Sequence, residues 1–468
     1  MSPPTDRPSA TEPRTLATHP ERSSRQSFPI FRAAGEPPKG PFERFLSLFA
    51  DVRGGEGANA LLLAFNVFLL LGAYYMLKPA REALILAEFG AEQKAYAAAG
   101  QALLLIGIVP LYGWMATRLP RMPLISTTAV FFASNLVVFY LLGQAGLRLG
   151  VVFYIWLGIF NVFVVSQFWA FANDLYTEGQ GRRLFPLVGV GASLGAWVGA
   201  ATVEPLIEGL AFTPFTLMLA GAAVLMVALS ITVVVNRRSV RRTPEHERID
   251  RKTLGKEGGF ELVFRDRYLF WIAILIVLLN LVNTTGEYLL GRVVTANAAA
   301  LFPAVEQLDE SRAYVGVFYG SFYATVNLVG FLLQLLVASR AIRYLGVRGS
   351  LFILPVLALV NYSVIAVAPL LAVIRVGKIL ENSTDYSIQN TVRQALFLPT
   401  TREAKYKAKA AIDTFGTRFG DVTSAGIVLG GSAIGAATSA FAWFNVGLTV
   451  AWLGVAGRIA REHRKKTV

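Results

Sequence analysis

EGQGRRLFPLVGVGASLG (residues 178–195) has a counterpart 225 residues later in EAKYKAKAAIDTFGTRFG (residues 403–420). Both segments begin with glutamate, and both place glycine 13 and 17 positions further on. A weaker correspondence joins two Arg-rich stretches, GWMATRLPRMPL (113–124) and SRAIRYLGVRGSL (339–351). The sequence therefore predicts a chain built from two related halves.

The composition is typical of a membrane protein. Of the 468 residues, 54% are hydrophobic and 16% are charged, whereas soluble domains contain about 25% charged residues. Apolar runs such as 58–77 approach the ~20 residues that cross a bilayer as a helix. We predict an all-α membrane protein with twelve transmembrane helices. They are expected at residues 58–86, 95–116, 122–143, 150–176, 184–206, 213–236, 267–290, 312–338, 349–367, 368–395, 409–431 and 434–459.

The loops between these helices differ in charge. The strongly basic ones, such as 236–252 and 401–409, all fall on one side of the membrane if the helices alternate in direction. Because Lys and Arg are enriched in cytoplasmic loops, we expect both termini in the cytoplasm. The predicted organisation is a disordered cytoplasmic tail (1–57), an N-terminal six-helix half (58–236), a basic cytoplasmic linker (237–266), a C-terminal six-helix half (267–460) and a basic tail (461–468).

Two six-helix halves with an internal duplication are the plan of the major facilitator superfamily. In such proteins the binding site lies between the halves, near the middle of the membrane. GWMATRLPR (113–121) also resembles the loop signature of that superfamily, although Thr117 stands where Asp is usual and Pro120 where Gly is usual. We therefore expect a pseudo-symmetric, major facilitator-like fold.

Several chemistries are excluded by the composition. The chain has no cysteine, and its three histidines lie outside the predicted spans, so we expect no metal site, no cofactor and no enzymatic activity. The net charge of +14 is explained by cytoplasmic loops, so no nucleic-acid partner is expected. The glycines of LVGVGASLGAWVGA (187–200) are not a phosphate loop; their spacing favours close helix packing.

One predicted helix carries unusual charge. In IRVGKILENSTDYSIQNTVRQ (374–394), six polar side chains fall within a sector of about 80° at 100° per residue. Charges that face lipid cost at least ~2.5–3.5 kcal/mol each, so this stripe is expected to face an aqueous cavity or other protein. For individual residues, internal salt bridges with Glu381 or Asp385 are the alternative. The stripe consists of Arg375, Lys378, Asn382, Asp385, Gln389 and Arg393.

Further polar side chains occur on the first and fourth helices of each predicted half. A cavity lined by Lys and Arg suits an anion, best a phosphate ester. The Arg guanidinium can donate two parallel hydrogen bonds to phosphate oxygens, and the Lys ammonium acts as a point charge. Tyr74, Trp169 and Tyr386 are candidates for stacking on a base. The predicted substrate-binding residues are Lys78, Arg81, Asn173, Arg375, Lys378, Asp385, Arg393, Lys407 and Lys409, and the predicted coupling or gating residues are Glu287, Asp413 and Arg418.

Three segments resemble a known family, the ATP/ADP translocases of plastids and obligate intracellular bacteria. They are QFWAFANDLYTEGQGRRLFPLVGVGASLG (167–195), LPTTREAKYKAKAAIDTFGTRFG (398–420) and YYMLKPAREALI (74–85). The family's first-helix lysine corresponds to Lys78, and its lysine run to Lys405, Lys407 and Lys409, followed by Asp413. Where the family usually has Asp after the first-helix lysine, this chain has Pro79.

The resemblance implies a secondary transporter that exchanges ATP for ADP, or carries a related phosphorylated anion, by alternating access, and we expect it in a bacterial inner membrane. Two alternatives remain open from the residues alone. One is an ion-coupled carrier of another organic anion, and the other is a non-transporting membrane receptor or scaffold. The expected partners are the lipid bilayer and a small anionic solute, with the oligomeric state undetermined.

Overall fold

Long helices joined by short turns account for nearly all of the chain that can be described. The structure is a computed structural model, and it describes residues 52–53, 56–176, 178–240, 259–401 and 403–467. Nearly all of the predicted N-terminal tail (1–57) and residues 241–258 of the predicted linker lie outside the described residues.

The described residues up to Val240 form six long helices. A short helix, Val203–Leu210, follows the fifth after one residue. Gly90, with φ of +88°, makes the turn between the first two, a conformation that glycine adopts without strain. The long helices are α1 (Gly57–Glu88), α2 (Ala91–Arg118), α3 (Arg121–Gln144), α4 (Gly150–Leu175), α5 (Glu178–Ala201) and α6 (Pro214–Val240).

The second part repeats this order after a short helix, Gly259–Arg265. The Asp266 side chain caps the next helix by accepting a 2.8 Å hydrogen bond from the Tyr268 amide. The long helices are α7 (Arg267–Leu301), α8 (Leu308–Leu333), α9 (Ile353–Val367), α10 (Leu371–Thr384), α11 (Lys409–Ala433) and α12 (Thr438–Thr467).

Three π-helical turns extend helices of this second part. Gln334–Ala338 continues α8 into Ser339–Ser350, and Asp385–Gln389 continues α10 into Asn390–Leu396. Ala404–Ala408 leads into α11. Such turns are uncommon and are frequently found at functional sites.

Within the described residues, nine helices are long and apolar enough to cross a membrane. Helix α9 is apolar but has only 15 residues, and α10 and α11 carry several charged side chains. The prediction of an all-helical, multi-pass membrane protein is therefore confirmed. A count of twelve spans is reached only if α9, α10 and α11 also cross the membrane.

Several helices extend beyond their predicted ends. Helix α2 begins at Ala91 instead of residue 95, which places Lys94 inside the helix. Helix α7 runs to Leu301 instead of residue 290. Helix α12 continues to Thr467, so most of the predicted tail (461–468) is helical.

Glycines bring helices together in both parts of the chain. A Cβ atom on Gly191, Gly195 or Gly199 of α5 would overlap the backbone of α1 at Ala64, Phe68 or Gly72, respectively. In α11, a Cβ on Gly416 would lie 3.0 Å from Ile276 of α7, and one on Gly420 would lie 2.7 Å from Asn280. The two glycine pairs of the sequence repeat, 191/195 and 416/420, therefore play the same role six helices apart.

We predict that Gly195→Ala lowers the melting temperature of the detergent-purified protein, because the added methyl group meets the α1 backbone. Overpacking of this kind costs about 1–3 kcal/mol. Gly189→Ala is the matched control, since no atom of the described residues lies within 4 Å of a Cβ at that position. Equal melting temperatures for the two variants would show that α1 and α5 do not pack as closely as described.

An ion pair fastens the start of α1 to α5. Both Arg183 guanidinium nitrogens Nη1 and Nη2 donate to the Glu56 carboxylate, each at 3.0 Å. Burial alone would raise the pKa of Glu56, but these hydrogen bonds hold the pKa below its ordinary value. The carboxylate is therefore charged near neutral pH and fixes the entry into α1.

Candidate functional site

Lys78 of α1 is held by aromatic rings. Its ammonium lies 3.9 Å from the ring centre of Tyr323 in α8 and 5.3 Å from that of Tyr75. Lys78 is buried, and no carboxylate among the described residues lies within ion-pair distance of it. A cation over an aromatic face is attracted by the ring quadrupole, and neither ring carries a charge that would neutralise the ammonium.

A buried ion cluster lies one turn further along α1. Glu82, which is 0% exposed, pairs with Lys94 of α2 at 2.7 Å and accepts a hydrogen bond from the neighbouring Arg81. The Arg81 guanidinium also lies 4.3 Å from the ring centre of Tyr154. The hydroxyl of Tyr323 is 3.5 Å from the Glu82 carboxylate, so Lys78 and this cluster share one aromatic neighbour.

The cluster reaches across to the second part of the chain through Glu287 of α7. Its carboxylate lies 4.0 Å from the Lys94 ammonium and 3.7 Å from that of Lys378 in α10. Asn382 of α10 donates a 2.9 Å hydrogen bond to the same carboxylate. Glu287, predicted as a coupling or gating residue, therefore lies where α1–α6 and α7–α12 meet.

Lys378 is fully buried and engaged by its own helix. Its ammonium pairs with Glu381 at 3.0 Å and donates to the Asn283 side chain at 2.8 Å. Glu381 also accepts hydrogen bonds from Tyr362 and Asn361. Lys378 therefore forms an internal salt bridge, which the sequence analysis gave as the alternative to a cavity-facing position.

Six charges of alternating sign thus form a continuous series, five of them buried and Glu287 partly buried, which we call the charge chain. Leaving a single buried charge uncompensated is strongly destabilising, whereas paired charges satisfied by hydrogen bonds are tolerated. The alternation keeps the series near neutrality and leaves Lys78 beside it as an additional cation. The charge chain consists of Arg81, Glu82, Lys94, Glu287, Lys378 and Glu381.

The same end of the helix bundle is fastened by further contacts between α1–α6 and α7–α12. Arg312 of α8 donates at 2.6 Å to Glu88, whose other oxygen accepts the Gly150 amide at 2.9 Å. Tyr288 donates to Glu92 at 3.0 Å. This end contains the α1–α2 turn. The opposite end, which we call the basic-loop end, contains the α2–α3 turn with Arg118 and Arg121.

Other predicted cations lie outside the charge chain. Arg375 donates to the Ser321 hydroxyl at 3.0 Å and lies 5.2 Å from the ring centre of Phe318. Arg393 donates to Asn390 on its own helix at 3.5 Å. Neither pairs with a described carboxylate.

The remaining predicted residues lie near the basic-loop end or midway along α11. Lys409 pairs with Asp413 at 2.7 Å, and Lys407 lies in the π-helical turn before them. Arg418 is 3.5 Å from Asp421, and Asn173 is exposed near the end of α4. The structure therefore unites Lys78, Arg81, Glu287 and Lys378, but not the α11 residues or Asn173.

The three stacking candidates are also separated. Trp169 packs edge-on against Phe185, with ring centres 5.6 Å apart. Tyr74 packs edge-on against Tyr75, with ring centres 5.0 Å apart. Tyr386 of α10 is 42% exposed.

Sequence reasoning missed two members of the site. Lys94 lies just outside the second predicted helix, which begins at residue 95. Glu82 is not among the predicted site residues, although it lies within the family-like segment 74–85. The sequence does indicate in part that Glu82 and Lys94 have a structural role, because charged residues inside or beside an apolar run need partners.

The helices assemble into the fold of known membrane transporters. The nucleoside transporter NupG superposes with a TM-score of 0.61 at 12% identity, covering 85% of this chain and 98% of that one. A bacterial homologue of the iron transporter ferroportin, in an inward-facing state, gives a TM-score of 0.60 at 15% identity and covers 86% and 98%. The class is therefore a multi-pass membrane protein with a major facilitator-like transporter fold.

The chain belongs to the TLC ATP/ADP transporter family, whose model matches residues 150–463. The resemblance read from the sequence is thereby confirmed. "ADP,ATP carrier protein 1" of Chlamydia pneumoniae is 23% identical over 341 residues, which cover 63% of each chain. "ADP,ATP carrier protein 2" of Chlamydia trachomatis serovar D is 22% identical over 503 residues, covering 91% of this chain and 92% of that one.

A chloroplastic "ADP,ATP carrier protein 2" from Arabidopsis thaliana is 23% identical over 346 residues, covering 65% of this chain and 53% of that one. For the C. pneumoniae relative, the matched part of this chain spans a little under two thirds of the relative's length.

Proposed function

We propose that this protein is a secondary transporter that exchanges ATP for ADP, or carries a closely related phosphorylated anion. One observation carries the proposal: in a member of an ATP/ADP transporter family, a buried lysine between the two parts of the chain lacks a carboxylate partner among the described residues. An anionic phosphate group is the ligand that such an ammonium stabilises. Transport, and not catalysis, is then the activity of the chain.

The proposed architecture is twelve spans in two six-helix halves. Its support is the equivalent packing of Gly191 and Gly195 on α1 and of Gly416 and Gly420 on α7. Helices α9, α10 and α11 then complete the nine apolar spans. The polarity of α10 is reasonable in a membrane because Lys378, Glu381 and Asn382 are buried against protein.

We place the binding site between these halves, with Lys78 as its central cation. Arg81 and the charge chain form its inner wall, and Tyr75 and Tyr323 provide aromatic surface beside the ammonium. Other predicted residues are proposed to contact the substrate only on its way to and from this site. They are Arg375, Arg393, Asn173, Lys407 and Lys409. The basic-loop side is proposed to be cytoplasmic, in a bacterial inner membrane, with both termini on that side.

Alternating access requires the contacts at the α1–α2 end to open. Glu88–Arg312, Glu92–Tyr288 and Lys94–Glu287 join the halves there, so this end is closed in the described conformation. A bound phosphate beside Lys78 would add negative charge next to Glu82 and Glu287, and would thereby weaken their hold on the lysines. Weakening of these ion pairs by a bound phosphate would link substrate binding to opening of the α1–α2 end.

The test is uptake of labelled ATP into liposomes that contain the purified protein. We expect rapid uptake when the liposomes are preloaded with ADP, and much slower uptake when they are empty, because exchange needs a counter-substrate. Protein-free liposomes loaded with ADP are the control. Absence of nucleotide uptake above that control would refute the substrate assignment.

The ion-coupled alternative has its own support. Asp385 is a carboxylate of the α10 stripe that pairs with no described lysine or arginine. In the same assay, uptake that depends on an ion gradient and is indifferent to preloaded ADP would favour this second candidate.

A further inference from the structure

Asp385 differs from the other carboxylates predicted to couple or bind. Glu287 lies beside Lys378 and Lys94, and Asp413 pairs with Lys409. Asp385 is partly buried in the π-helical turn of α10, and its buried Oδ1 atom has no hydrogen-bond partner among the described residues. A carboxylate inside a membrane helix needs compensation.

The cations that could compensate Asp385 are committed elsewhere. Arg393 and Lys378 lie near enough to act on it electrostatically. However, Arg393 donates to Asn390, and Lys378 donates to Glu381 and Asn283. Neither lies within ion-pair distance of the Asp385 carboxylate.

Two neighbouring amides also have unpartnered oxygens. Asn382 is 2% exposed and Gln389 is 0% exposed; Asn382 Oδ1 and Gln389 Oε1 have no hydrogen-bond partner among the described residues. The Gln389 amide nitrogen is likewise unpartnered. Asn382 lies three residues before Asp385 on α10, and Gln389 lies four residues after it, at the end of the π-helical turn.

Such a group of buried, unpartnered oxygens calls for an explanation. Buried polar atoms in folded proteins are nearly always satisfied by protein, by water or by an ion. Carboxylate and amide oxygens are the ligands that hard cations prefer. A single carboxylate balances a single positive charge, whereas calcium sites typically use several carboxylates among six to eight oxygen ligands.

We propose that Asn382, Asp385 and Gln389 form a binding site for a monovalent metal cation, of which sodium is the physiological representative. The cation compensates the Asp385 carboxylate and fills the oxygen positions of both amides. This cation site is separate from the proposed nucleotide site, because a cation can occupy it without nucleotide. It also provides a place at which an ion gradient can act on α10.

The experiment measures cation binding by the purified, full-length protein in detergent, without nucleotide. Melting temperatures are recorded in sodium chloride and in choline chloride at equal ionic strength, and binding of ²²Na⁺ is measured directly. A ligand that prefers the folded state raises the melting temperature in a saturable manner. We expect that rise with sodium, together with saturable ²²Na⁺ binding.

Asp385→Asn keeps the shape of the side chain and removes its charge. Loss of an outer partner alone costs about 10–100-fold in metal affinity, so loss of the charged ligand is expected to weaken sodium binding at least ~10-fold. Asp174→Asn is the matched control, because that exposed carboxylate already has Arg121 as its partner, and it should retain the sodium response.

Three results would overturn the assignment. One is the same melting temperature in sodium and choline with no saturable ²²Na⁺ binding by the wild-type protein. Another is an unchanged sodium affinity in Asp385→Asn. The third is stabilisation that follows pH alone, which would identify a proton as the occupant. The wild-type measurement is decisive even if a variant is unstable, and none of these readouts requires nucleotide transport.

Discussion

Exchange of ADP for ATP is expected to fall at least about 30-fold when Lys78 is replaced by glutamine. Removing one partner of a buried, hydrogen-bonded charge pair costs roughly 2–5 kcal/mol, and every 1.4 kcal/mol corresponds to a factor of ten. Glutamine has nearly the length of lysine but carries no charge. The measurement is the initial rate of labelled ATP uptake into ADP-loaded liposomes at several ATP concentrations.

Lys465→Gln is the control for that variant. Lys465 is exposed near the end of α12 and pairs with Glu462, so its loss should leave exchange unchanged. Exchange by Lys78→Gln at the rate of the wild-type protein would exclude Lys78 as the phosphate-binding cation. Matching rates for Lys465→Gln and wild type would show that the effect is local to the site.

Glu82→Gln is expected to destabilise the protein severely. The substitution removes the negative charge that lies between Arg81 and Lys94, and Lys94 is itself buried. Breaking a buried ion pair by removing one partner costs about 3–5 kcal/mol. A large drop in the melting temperature of the detergent-purified protein is the expected result.

A double variant separates the ion pair from the general effect of substitution. In Glu82→Gln/Lys94→Gln neither charge remains, so the melting temperature should recover much of the loss. Residues in one network show such coupling, whereas independent sites have additive effects. Additive destabilisation in the double variant would show that Glu82 and Lys94 do not depend on each other.

The sequence predicts the fold well because membrane helices leave strong local signals. Apolar length identifies the spans, the glycine spacing within 187–200 indicates close helix packing, and its repetition at 416/420 indicates a duplicated plan. The family resemblance rests on three quoted segments, of which 74–85 lies outside the matched residues 150–463. Helix ends were less accurate, since α7 extends eleven residues beyond its predicted end.

The site is predicted less completely because charge pairing is a tertiary property. Helical periodicity places Lys378 on a polar stripe, but it does not reveal that Glu381 and Asn283 already engage the ammonium. It also does not bring Lys94 of α2 to Glu82 of α1. The π-helical turn at Asp385–Gln389 changes the local residue spacing, which a regular 100° projection does not include.

Equilibrium binding of labelled ADP to purified wild-type protein and to Lys78→Gln tests the central claim most directly. The account predicts saturable binding by the wild-type protein, displacement by unlabelled ATP, and an affinity at least about 30-fold lower in Lys78→Gln. Failure of the wild-type protein to bind ADP, or equal affinities in the two proteins, would contradict it.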